Sequence, residues 1–119
     1  MTEKGIPFNV SEHVAYADGS VVSKTLIDKG IGNITLFSFD AGQGLSEHTS
    51  PFDAMVLIID GRAEISIGGK PCSVASGEMI IMPAGIPHAL QARNKFKMML
   101  IMLRAKDQPR EEPSGPVAV

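Results

Sequence analysis

Tryptophan is absent, and one tyrosine and five phenylalanines bring the aromatic share to only 5%. A protein that reads nucleic-acid bases by stacking needs more aromatic surface than this. Basic charge is not in excess either: 11 Lys and Arg stand against 13 Asp and Glu, a net charge of -2. That balance gives no attraction to a polyanion, so no nucleic-acid partner is expected. Cys72 is the sole cysteine. It permits no intrachain disulfide and rules out a cysteine-based zinc site. A reducing cytoplasm is the expected compartment, with Cys72 a small packed side chain at a strand start. Long hydrophobic runs are missing as well. The longest, Met98 to Leu103, stops at Arg104, far short of the roughly 20 residues of a membrane helix. Met1-Thr2-Glu3-Lys4-Gly5 leads into no apolar run, so neither a signal peptide nor a membrane partner is expected.

What is present is punctuation. Turn signals recur at Asp18-Gly19, Lys29-Gly30, Ala41-Gly42, Asp60-Gly61, Gly68-Gly69, Ser76-Gly77 and Pro83-Ala84-Gly85. Short runs rich in Val, Ile, Leu, Met and Phe lie between them. This rhythm predicts an all-β sandwich or barrel in one domain, a size that 119 residues suit. Strands are expected near 13–17, 20–27, 33–39, 45–50, 54–59, 62–67, 71–75, 79–82, 87–92 and 96–104. No window carries capped helical periodicity. An N-terminal arm over 1–9, a folded domain over 10–104 and a disordered tail over 105–119 follow from composition. The tail sequence Lys106-Asp107-Gln108-Pro109-Arg110-Glu111-Glu112-Pro113 is charged and proline-rich.

Three runs do not alternate: Met55-Val56-Leu57-Ile58-Ile59, Met79-Ile80-Ile81-Met82 and Met98 to Leu103. A strand with one wet face should alternate, so these strands need cover on both sides. A homodimer supplies it without further chain. The methionines are then core or interface filler.

Chemistry concentrates at two histidines beside turns. Gly42 is followed after five residues by His48, and Gly61 closes the next strand. Gly77 is followed after five residues by Pro83, then Gly85 and His88. His13, ahead of this region, reads as a surface residue. Glu47 and Asp53 are the nearest carboxylates. Each neighbours a position expected to point inward (His48, Ala54), so strand alternation turns both away. A bulge near Pro51-Phe52 would rotate Asp53 inward.

These spacings resemble the two motifs of the cupin superfamily, and specifically a small single-domain cupin. The first family motif is matched at Gly42, His48 and Gly61, the second at Gly77, Pro83, Gly85 and His88. The resemblance covers roughly 33–104. It implies a jelly-roll β-barrel, commonly dimeric, with the two histidines brought to one pocket. It also implies a metal held by three histidines and a glutamate. Here the second histidine position is Ser50, the glutamate position is Ala54, and the motif-two asparagine position is Ala92.

Three functions remain open. One is a small-molecule-binding cupin, with His48 and His88 as polar anchors and Ser50, Phe52, Ala54, Val56 and Leu90 lining the pocket, Phe37 and Phe39 adding apolar wall. A weakly ligated divalent ion (Zn, Ni, Fe or Mn) on His48 and His88 is part of this reading. The second is a metal-dependent dioxygenase, isomerase or decarboxylase on a small substrate, with Asp53, Ser50 or water as further ligands. The third is metal-free acid–base catalysis by the histidine pair.

Overall fold

The computed structural model describes residues 3–104; the expected tail over 105–119 lies outside the described residues. The strands are β1 (Val21–Lys29), β2 (Gly32–Phe39), β3 (Gly44–His48), β4 (Asp53–Asp60), β5 (Arg62–Ile67), β6 (Lys70–Ala75), β7 (Met79–Met82), β8 (His88–Gln91) and β9 (Phe96–Leu103). They form two antiparallel sheets with strand orders β1-β2-β9-β4-β7 and β3-β8-β5-β6. The architecture is the expected jelly roll. Its two sheets face one another and are not hydrogen-bonded into a closed barrel. A single 3-10 turn, Val10–Glu12, precedes β1, and its first residues are capped by the Asn9 side chain, which accepts from Glu12 N–H.

Alternation along the strands fills the space between the sheets. Phe39, Ala54, Val56, Ile58, Met82, Phe96 and Met98 come from the five-stranded sheet. Ala63, Ile65, Val74 and Leu90 come from the four-stranded sheet. All belong to one buried cluster. Phe39 and Phe96 stack at 4.5 Å at the end of the sandwich away from the two histidines. Phe39 therefore fills the closed end and does not wall the mouth.

The outer faces differ. That of the four-stranded sheet is polar: Arg62 donates to Ser73 Oγ and Glu64 pairs with Arg93. That of the five-stranded sheet carries a broad apolar area on β2, β9, β4 and β7. Register aligns Leu36, Met99, Leu57 and Met79 in one row, and Ile34, Ile101, Met55 and Ile81 in the next. Part of the cover these rows need comes from the chain's own N-terminal segment. Residues 13–17, expected as a strand, join no ladder. Instead the segment lies across the sheet and is held by side chains. Ser38 Oγ donates to Ala15 O, the Lys97 ammonium to Ser11 O, and Tyr16 OH to Asp60. Burial, then the bond to Asp60, raises the Tyr16 phenol pKa. His13, half buried, packs against Phe8 at 4.3 Å. A groove of about 480 Å³ runs between Phe8–Ser11 and Leu57–Ile59. Further along the same face, Met79 and Ile81 are 45% and 60% exposed.

Cys72, expected to be packed, is exposed. It sits on β6, the edge strand of its sheet, and no neighbouring strand covers it.

Candidate functional site

His48 and His88 are direct cross-strand partners on β3 and β8. Their rings meet at 4.4 Å between centroids, inclined at 68°. The pairing depends on an irregularity that strand alternation alone does not reveal. Leu45 pairs with Leu90 and His48 with His88, so β3 spends one residue more than β8 over this stretch. Such a bulge lets Leu45 and His48, which regular alternation would place on opposite faces, share the inner face. His88 has the parity of buried Leu90 and is itself 5% exposed, whereas His48 stands exposed at the rim.

Each imidazole is turned by its own strand. His48 Nδ1 lies 2.8 Å from Ser46 O, and His88 Nδ1 lies 3.4 Å from Ile86 O. A carbonyl oxygen only accepts, so Nδ1 carries a proton, and in the neutral ring Nε2 is the acceptor. Burial first, then the neighbouring His48, holds the His88 pKa below the ordinary imidazole value. The unfolded chain therefore binds that proton more readily than the folded one. Stability from a neutral His88 is complete above the unfolded value of 6.5 and is lost as pH falls below it. The urea midpoint should drop between about pH 7.5 and about pH 5.5, and His88→Gln should flatten that drop. An equal slope in the variant would assign the effect to other groups.

The loops around the pair are sutured by backbone bonds. Gly85 N–H donates to Ser50 O, Gly68 N–H to Pro87 O, and Ala84 N–H to Asp53 Oδ1 at 2.9 Å. Ser50 Oγ accepts from Phe52 N–H at 3.0 Å. Asp53 thus braces the loop that presents His88, and its parity on β4 is that of outward Met55 and Leu57. Asp53→Ala should cost about 1 kcal/mol in urea unfolding and speed hydrogen exchange at Ala84. It should leave any bound metal unchanged; loss of a metal would restore Asp53 as a ligand.

Among the other pocket candidates, Ala54, Val56 and Leu90 are 1%, 0% and 3% exposed. They form a packed floor beneath the rim where His48 stands exposed. Phe52, half buried, lies there under the Arg104 guanidinium, 5.0 Å from its ring centroid. That contact went unread in the sequence because the two residues meet only through the pairing of β4 with β9.

A divalent metal is the group this fold suggests, and the donor set can be tested against it. Among the described residues no three His, Cys, Asp or Glu side chains are grouped for a metal. Ala54 has no donor atom, the Ser50 hydroxyl is engaged with Phe52 N–H, and Asp53 is engaged with Ala84 N–H. Two imidazoles fall short of the three protein ligands of a catalytic centre. The residues present do not fit such a centre.

The Cupin domain family profile matches residues 35–104, and the chain belongs to that family. It is similar to a conserved protein of unknown function from Streptococcus pyogenes. The two are 40% identical, the match covers 89% of this chain and 93% of that one, and the TM-score is 0.85. A cupin 2 conserved barrel domain protein from Leptotrichia buccalis is 41% identical over 82% of this chain and 47% of its own, with a TM-score of 0.79. An uncharacterized protein of Streptomyces coelicolor is 32% identical over 56 residues, 47% of this chain. The chain spans about half the length of that curated relative, the match covering 53% of it. No helix among the described residues is long and apolar enough to cross a membrane.

Proposed function

We propose that this chain is a small-molecule-binding cupin whose ligand enters at the His48–His88 end of the sandwich. The observation that carries this reading is the orientation of the two imidazoles. With both Nδ1 atoms facing backbone carbonyls, the Nε2 atoms of the neutral rings are left as acceptors at the rim of a packed core. Ser50 and Phe52 complete the rim, over a floor of Ala54, Val56 and Leu90. Apolar walls with a few placed polar groups are the usual composition of a ligand site. A divalent ion would find only His48 and His88 as strong ligands and would be held weakly.

Elemental analysis after dialysis, paired with imidazole NMR, tests the reading. We expect well under one equivalent of Zn, Ni, Fe or Mn, together with His48 and His88 resonances that move on titration with small polar organics. A stoichiometric metal that survives dialysis and is lost in His48→Ala would overturn it in favour of a metal-dependent enzyme.

The same proposal includes a homodimer formed through the apolar rows of the five-stranded sheet, which the N-terminal segment covers only in part. A cytoplasmic location is also part of it, supported by a single, exposed cysteine.

A further inference from the structure

Register extends the inner face of the five-stranded sheet one step past its strand ends. Ala54 pairs with Met102 and Asp53 with Leu103, so Phe52 and Arg104 fall opposite each other. Both have inner-face parity, and the guanidinium stacks on the ring at 5.0 Å. Among the described residues Arg104 makes no ion pair; the salt bridge there joins Arg93 to Glu64. On the facing sheet the row of His48, His88 and Ile67 ends at Lys70. One carboxylate shares the inner parity at this end, Asp28, opposite Asn33 on the edge strand β1. Asp53 points outward onto Ala84 N–H. By register this end therefore carries Arg104 and Lys70 against one peripheral anion, Asp28, with the two imidazoles between them.

Resting on the pocket reading above, we propose that the ligand is a small organic carboxylate that also bears a hydroxyl group. Its carboxylate meets Arg104, which is held in place by Phe52 and presents a fork of donors suited to two oxygens. Its hydroxyl donates to Nε2 of the histidine pair. A purely apolar ligand would leave these groups unmatched, and a cationic one would be repelled by Arg104.

Mandelate, mandelamide and phenylacetate separate the contributions, with His48 and His88 imidazole resonances as the readout near neutral pH in metal-chelating buffer. Mandelate should bind about tenfold more tightly than mandelamide, which lacks the charge, and than phenylacetate, which lacks the hydroxyl. Arg104→Gln should weaken mandelate about tenfold and leave mandelamide within about twofold; Arg104→Lys should fall between. An unchanged melting temperature confirms that these exposed-site variants fold. If mandelamide moves the imidazoles as readily as mandelate, or Arg104→Gln binds mandelate normally, the carboxylate assignment fails and the pocket stands. If none of the three moves either imidazole at tens of millimolar, weaker than any specific site, both readings fail.

Discussion

Leu57→Asp should convert the proposed homodimer to a monomer. Leu57 lies on the outer face of the five-stranded sheet, one strand in from its β7 edge, paired with Met99 on one side and Met79 on the other. All three are apolar, as is the adjoining row of Ile34, Ile101, Met55 and Ile81. Across a twofold interface each copy would contribute one carboxylate, so the variant would bury two charges with no partner. Each costs several kcal/mol, which raises the dissociation constant by about a thousandfold or more. Met99→Asp, directly opposite in register, should do the same. Ser66→Asp, on the polar outer face of the other sheet, should leave the mass unchanged. Sedimentation at tens of micromolar, where a standard-sized interface is populated, reads all three. Wild-type protein that is monomeric there would end the dimer proposal. A dimer that survives Leu57→Asp would move the interface elsewhere.

The charge test rests on the non-alternating apolar runs, which were readable from sequence, although which side of each run faces outward was not. Turn chemistry is local, so Gly42, Gly61, Gly77 and Pro83-Ala84-Gly85 could be placed before any pairing was known. The strands between them followed, nearly to their ends. Residues 13–17 misled because His13-Val14-Ala15-Tyr16 mixes apolar and polar residues as an edge strand does. Its apolar and polar groups are satisfied instead by lying across a sheet, through Ser38 and Asp60. The exposure of Cys72 was hidden for a related reason, since whether β6 is an edge depends on strand order. At the site, the identities of His48 and His88 were legible, but the route to their pairing was not. A bulge is a property of two strands, and only the β3–β8 register shows that Ser46-Glu47 absorbs the extra residue. The Phe52–Arg104 contact is non-local in the same way.

Gly61→Ala should be among the most damaging single-atom additions in the chain, and Gly42→Ala a mild one, although both glycines belong to the same sequence motif. Both adopt positive φ, +77° at Gly61 and +88° at Gly42. An alanine in that region costs about 1–2 kcal/mol from its own backbone. For Gly42 the cost ends there, because a Cβ would meet nothing within 4 Å. At Gly61 the same Cβ would lie 2.5 Å from Lys95 O and 3.1 Å from Phe96 Cα and Cβ. These atoms cannot yield easily. Phe96 is fully buried and stacked on Phe39, and its strand is paired on both sides. Relief requires moving β9 or the β4–β5 turn, and overpacking of this kind adds about 1–3 kcal/mol. The total, about 2–5 kcal/mol, is a large part of the stability of a domain this size. Urea unfolding at one fixed protein concentration should show Gly61→Ala losing about 1–3 kcal/mol more than Gly42→Ala, with m unchanged. Equal losses would mean that backbone strain alone, and not the approach of β9 to the turn, explains why glycine stands at position 61.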